Sequence, residues 1–216
     1  ASSGDTWSGD PTEVYTITVT AIVRTLSIVS GNGQTLPTNT SLPPPGLVVL
    51  AQDNGVNASG ITINWSVQSG DASTSAPSSV TNVAAGEASI GVNLGPTPGA
   101  IVIRATRADD ATVFQDFTIT STLTRTLVIV SGNGQNATPG SPLGAPLVVD
   151  AKDNGIAAPG ITINWTITAG STLGAANNLT SGTGVASNTA TISNTPGVVT
   201  ITATRQDDVS ATVSFT

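Results

Sequence analysis

The chain contains no cysteine, no histidine and no methionine among its 216 residues. Without cysteine there is no disulfide framework and no thiolate metal site. Without cysteine and histidine, neither a thiol nucleophile nor a histidine-based triad can be assembled. Basic residues are scarce as well. Six Lys and Arg stand against thirteen Asp and Glu, for a formal net charge of −7. So few cations cannot form the basic patch that holds phosphates, which excludes nucleic acid as a partner. They cannot dock the chain onto anionic lipid either. No apolar run approaches the roughly 18 residues of a spanning helix, so no membrane insertion is expected of this stretch. Only 9% of residues are charged and only 3% are aromatic. The missing initiator Met points to a processed chain or an excised piece, and Ala1-Ser2-Ser3 suits the position after a cleavage site.

What is abundant is Thr, Ser, Gly, Val and Ala. β-branched residues punctuated by Gly, Pro and Asn suit short strands and tight turns, so the chain is expected to be all-β. It also repeats itself. Ser30-Gly31-Asn32-Gly33-Gln34 returns as Ser131-Gly132-Asn133-Gly134-Gln135, and Asp53-Asn54-Gly55 as Asp153-Asn154-Gly155. Ile61-Thr62-Ile63-Asn64-Trp65 returns unchanged at Ile161 to Trp165. Thr97-Pro98-Gly99 returns at Thr195 to Gly197, and Ala105-Thr106-Arg107 at Ala203 to Arg205. A period near 100 residues is too long for a solenoid repeat and fits a complete small domain. The expected division is an N-terminal segment (1–23), a first module (24–123) and a second module (124–216).

Within each module the strands can be read in turn. Leu26 to Val29 is closed by Gly-Asn-Gly. The Pro-rich stretch at Leu42 to Pro45 cannot supply ladder donors and is an edge or crossing segment. Leu47 to Ala51 ends at Asp-Asn-Gly. Ile61, Ile63, Trp65 and Val67 share one face of the third strand, with Thr62, Asn64 and Ser66 on the other. A loop of small residues leads to Ala88 to Leu94. Pro98-Gly99 reads as a type II turn. Ile101, Ile103 and Ala105 then point inward, and Asp109-Asp110 turns the chain into the last strand. About seven short strands without a helix indicate tandem two-sheet immunoglobulin-like β-sandwiches, each with a buried Trp on the third strand. Residues 13 to 20 alternate like the strand at Phe117-Thr118-Ile119-Thr120. They read as the last strand of a preceding repeat or as a native N-terminal strand. The second module's last strand stops at Phe215-Thr216, shorter than its counterpart.

In order and spacing, these motifs resemble the bacterial immunoglobulin-like repeats of the group-one type, found in intimin and invasin relatives and in large repetitive surface proteins. The resemblance covers residues 24 to 216. It implies a rod-forming extracellular module, on a bacterial surface or secreted, with no catalytic residues. Two departures stand out. Where such repeats usually read Asp-Ala-Asn-Gly, this chain has Ala84-Ala85-Gly86 and Gly182-Thr183-Gly184, so an acidic residue is lost there.

The acidic turns are the candidate site. In this topology the turn after the second strand and the turn before the last lie at one end. Asp53 would approach Asp109 and Asp110, and Asp153 would approach Asp207 and Asp208. Such clusters offer oxygens to calcium, which takes six to eight. No cofactor other than calcium is expected. The plain alternative is solvated turn chemistry, since Asp and Asn cap turns with their own side chains. Lys152, the only lysine, invites an intramolecular bond to Asn, but Gln52 stands in its place in the first module. Six Asn-X-Ser/Thr matches, Asn64 and Asn164 among them, follow from composition. Trp7 lies outside any expected strand.

Two functions remain. The modules are a stalk or spacer of a surface adhesin, with neighbouring repeats of the same chain as partners. Alternatively they bind a host receptor, a glycan or a neighbouring cell. Near-duplicate copies and the lack of an aromatic cluster favour the spacer. The loop from Gly70 to Val83 differs most between copies and is the place to look for binding.

Overall fold

A computed structural model describes residues 19–216. The described strands fall into two sets, one running from Arg24 to Thr122 and the other from Arg125 to Phe215, and no strand pairing crosses between them. The expected strand at residues 13 to 20 lies outside the described residues, apart from Val19 and Thr20, which are in no strand. Trp7 is outside them too.

Each set is a sandwich. In the first module Leu47–Asp53 is the centre of one sheet, with Arg24–Ser30, Val56–Asn57 and Glu87–Ile90 paired to it. The facing sheet runs in the order Gln34–Pro37, Phe114–Thr122, Gly99–Arg107, Thr62–Ser69, Ser78–Val80. The second module repeats the first sheet around Leu147–Asp153, and its facing sheet runs Asn177–Leu179, Thr162–Ile167, Ile201–Arg205, Thr212–Phe215.

The alternation in the sequence becomes the core. Ile63, Trp65, Ile101, Ile103 and Ala105 are all buried, as are Ile163, Trp165, Ile201 and Ala203. Trp65 stands 5.9 Å from Phe117, centroid to centroid, and Trp165 stands 6.0 Å from Phe215. Each indole N–H still finds a partner as buried Trp requires. Trp65 Nε1 donates to Ser79 Oγ and Trp165 Nε1 to Asn178 Oδ1, both at 2.9 Å.

The repeated turn motifs have separate physical reasons. Asn54 and Gly55 adopt φ of +49° and +79°, and Asn154 and Gly155 +50° and +81°. Two successive positive φ values make the tight hairpin turn whose twist matches the strands. At Gly31 a Cβ would sit 2.4 Å from the carbonyl oxygen of Gly46, and at Gly132 2.3 Å from that of Pro146. A side chain at either position would therefore collide with a neighbouring backbone. Between those glycines and the next, Asn32 Oδ1 accepts the Thr118 N–H at 2.7 Å, and Asn133 Oδ1 accepts that of Thr216 at 2.9 Å. The Ser-Gly-Asn-Gly-Gln motif thus clasps the last strand of its own module.

Three readings differ from the fold. Gln34–Pro37 is a strand, lying parallel to Phe114–Thr122 at the sheet edge. The small-residue loop contains Ala72–Thr74 and Ser78–Val80, two short strands. Gly99 opens a strand at φ +141°, away from the value near +80° that a type II turn needs, because its backbone pairs with Ser121.

Trp65→Ala removes the largest apolar side chain of the first core. It is expected to destabilise that module by about 3–5 kcal/mol, read as a lowered urea midpoint for its transition.

Candidate functional site

The acidic turns do meet at one end of each module, and what they meet on is an arginine. Gly99–Arg107 ends at Arg107, which is completely buried. Its guanidinium donates five hydrogen bonds. Nε reaches Asp109 Oδ1 at 3.0 Å, and Nη2 reaches Asp53 Oδ1 at 2.8 Å and Asp109 Oδ2 at 3.0 Å. Nη1 reaches the carbonyls of Thr25 and Gln52 at 3.2 and 3.1 Å. A guanidinium carries five N–H donors, so none is left over. Arg205 repeats the pattern on Asp207, Asp153 and the carbonyls of Thr126 and Lys152.

Each arginine therefore bolts the two sheets together. Its own strand belongs to one sheet, while Thr25, Gln52 and Asp53 lie on adjacent strands of the other. A second arginine closes the charge balance. Arg24 Nε lies 3.1 Å from Asp109 Oδ2, and Arg125 Nε 3.1 Å from Asp207 Oδ2. Two cations and two carboxylates make each cluster neutral. The Arg107 hydrogen bond holds the Asp109 carboxyl below the ordinary carboxylate range, and Arg205 does the same for Asp207. Bonding to Asp109 raises Arg107 further, against the opposing effect of burial.

Asp110 and Asp208 stay outside the clusters. Asp110 Oδ1 accepts from the Thr112 hydroxyl and backbone N–H at 2.7 and 3.1 Å, and Asp208 Oδ1 from those of Ser210 at 2.6 and 3.0 Å. These are capping contacts within a turn, and they hold both carboxyls below their ordinary range. Among the described residues no three carboxylates gather in a group that could hold a metal ion. Calcium needs six to eight oxygens around a net negative site. A neutral cluster filled by a guanidinium does not fit it.

The sequence reading brought Asp53 to Asp109 and Asp153 to Asp207 but missed the arginines between them. The signal was present. Ala-Thr-Arg recurs in both copies of a chain with only six basic residues. All six are paired: Arg104 with Asp116 at 2.7 Å, and Lys152 with Asp150 at 3.1 Å, complete the set. Lys152 is 42% exposed at its side chain. That is a solvated strand-end lysine rather than a buried cross-linking site.

Beside each cluster the turn asparagine holds the incoming chain. Val23 N–H donates to Asn54 Oδ1 and Asn54 N–H to the Val23 carbonyl, at 2.9 and 2.8 Å. Thr124 and Asn154 repeat both bonds at the same lengths. Asn154 makes one more, from Nδ2 to Thr38 Oγ1 of the first module at 3.0 Å. Thr38 is buried there. Pro37, Pro96 and the linker residue Leu123 line one cleft with Ile156, Pro159 and Ile161 at this junction.

No protein-family model matches the sequence, and no curated protein matches it. Among solved structures, the D0-D1 domain of intimin is similar over 89% of this chain and 96% of that one, at 20% identity and a TM-score of 0.39. The Yersinia pseudotuberculosis adhesin InvE is similar over 89% of this chain, at 17% identity and a TM-score of 0.38. Invasin, described as a bacterial integrin-binding protein, is similar over 91%, at 18% identity and a TM-score of 0.46. This chain spans 58% of the InvE structure and 39% of the invasin structure.

Arg107→Met takes the cation from Asp53 and the donors from the Thr25 and Gln52 carbonyls at once, while Asp109 keeps Arg24. At neutral pH it is expected to cost the first module about 3–5 kcal/mol in denaturant melts. Asp109 is depressed when folded, so its contribution is present above the unfolded carboxylate value and fades as pH falls below about 4. The gap between wild type and Arg107→Met is expected to narrow there.

Proposed function

We propose that this chain is a non-catalytic, extracellular pair of immunoglobulin-like repeats that serves as a stalk in a bacterial surface adhesin. The observation that carries this reading is the junction. Only Leu123 and Thr124 separate the Phe114–Thr122 strand from the Arg125–Ser131 strand. Thr124 is clamped by Asn154, and Asn154 in turn reaches back to Thr38. A connection this short, bonded on both sides, suits a rod that transmits reach and force better than a hinge. The partners are then neighbouring repeats of the same chain. The acidic turns serve the buried arginines in this reading, and calcium is not required for stiffness.

The polar chemistry also suits a spacer. Every cation is spent on an internal pair. One observation favours the binding reading. In the first module Arg104 lies 3.9 Å over the half-exposed Phe114 ring while gripping Asp116 with two hydrogen bonds. The second module carries only hydroxyls at the matching places, Thr202 against Ser214 and Thr204 against Thr212.

Beads coated with the chain test the choice. As a spacer, the chain will leave bead adhesion to host cells and to one another at the level of bare beads. Adhesion that disappears when residues 70–83 are exchanged for 170–183, or on Phe114→Ser, would instead establish a binding module.

A further inference from the structure

The chain enters the first module on one sheet and leaves it on the other. Arg24–Ser30 belongs to the sheet centred on Leu47–Asp53, and Phe114–Thr122 to the facing sheet. Both strands start at the arginine end of the module. Arg24 lies opposite Asp53 there, and Phe114 follows the Asp109-Asp110 turn. Both run towards the far end, where Thr122 pairs with Pro37. A chain held at both ends therefore draws Arg24–Ser30 back towards the arginine end and Phe114–Thr122 away from it. Tension drags the two sheets past one another.

Apolar attraction is non-directional and does little to oppose such sliding. A hydrogen bond across the gap fails once its narrow range of distance and angle is exceeded, so it resists from the first displacement. Two side chains of the facing sheet make such bonds. Arg107 donates to the Thr25 and Gln52 carbonyls and to Asp53. Gln115 Nε2, on the departing strand, donates to the Leu26 carbonyl at 2.9 Å. Thr25 and Leu26 are successive residues of the strand on which the pull arrives. That strand is the edge of its sheet, paired only with Leu47–Asp53. Its outer carbonyls therefore have no ladder partner and depend on side chains.

These bonds lie side by side and across the pull, so they have to break together rather than in turn. The parallel pairing of Gln34–Pro37 with Phe114–Thr122 comes after them along the chain and feels the tension only once Arg24–Ser30 is drawn off. The second module keeps half of this arrangement. Arg205 bonds the Thr126 carbonyl at 3.2 Å. Val213 takes the place of Gln115, opposite Ala203 as Gln115 is opposite Ala105.

We infer that Arg107 and Gln115 form the load-bearing site of the first module. Under tension along the chain, their bonds to Thr25 and Leu26, rather than the apolar core, set how long the module stays folded. This rests on the stalk reading, since only a chain held at both ends is pulled.

Pulling single molecules of the 216-residue chain by its two ends at constant force tests it, because the rate of forced unfolding reports the barrier and not the equilibrium stability. With no cysteine in the sequence, thiol handles attach only where they are placed. Gln115→Val gives the first module the residue that the second already folds with. It is expected to speed one of the two unfolding events about fivefold, the worth of one hydrogen bond. Arg107→Met is expected to speed the same event further. Ser79→Ala removes the bond from Trp65 Nε1 at the opposite edge of the facing sheet. It is expected to lower the urea midpoint and leave the rate under load unchanged. Moving the first handle to Ser59→Cys, past the entering strand, is expected to abolish the effect of Gln115→Val. Equal acceleration by Gln115→Val and Ser79→Ala, no acceleration by Gln115→Val, or an effect that persists with the handle at residue 59 would overturn the inference. So would an Arg107→Met chain that unfolds under load as slowly as wild type. All of these leave the stalk reading standing. That reading fails instead if the coated beads adhere, a result on which the force measurement does not depend.

Discussion

One buried guanidinium per module carries more of this structure than any other group. Arg107 and Arg205 sit where two sheets end side by side, and each spends all five of its donors there. The cost of burying a cation is offset only because carboxylates and backbone carbonyls complete its shell. A lysine could not replace it, since an ammonium has three donors and no planar fork to span both sheets. The chain has no cysteine to bridge the sheets covalently, so a polar bolt at one end and the Trp-Phe contact within the core hold the layers in register. The second arginine of each cluster, Arg24 or Arg125, keeps the whole group neutral.

The cluster also sets the geometry of the module ends. Asp53 and Asp153 are the last residues of their strands, and the asparagine after each begins the tight turn that clamps the incoming chain. Holding the aspartate therefore holds the asparagine, and holding the asparagine fixes where one module begins relative to the last. The bond from Asn154 to Thr38 carries that placement across the junction. The second module has Pro139 where the first has Thr38, so it cannot offer the same hydroxyl to a neighbour.

Much of the architecture is legible in the sequence because it depends on local patterns. The run from Ile61 to Val67 alternates so strictly that its buried face can be named residue by residue, and Ile63 and Trp65 are buried as the pattern requires. Asn-Gly announces its turn. The strand at Gln34–Pro37 is hidden because it is short, ends in proline and pairs in parallel with a strand some 85 residues later. The short strands at Ala72–Thr74 and Ser78–Val80 are made of small residues that read equally well as loop. The candidate site was half legible. The acidic turns are visible, but their partner is an arginine at the end of an inward-facing strand, and two of its five hydrogen bonds go to backbone carbonyls. No side-chain pattern records a carbonyl, and only the recurrence of Ala-Thr-Arg marks the position.

The central claim is that the carboxylates at the module ends belong to the buried arginines. Arginine side-chain NMR of the intact chain, recorded with chelator and then with excess calcium, tests it most directly. The account predicts resolved, slowly exchanging guanidinium N–H signals for Arg107 and Arg205, since all their donors are bonded away from water, and no change on adding calcium. Rapidly exchanging signals, or signals that shift as calcium is added, would contradict it and return Asp53, Asp109, Asp153 and Asp207 to the role of metal ligands.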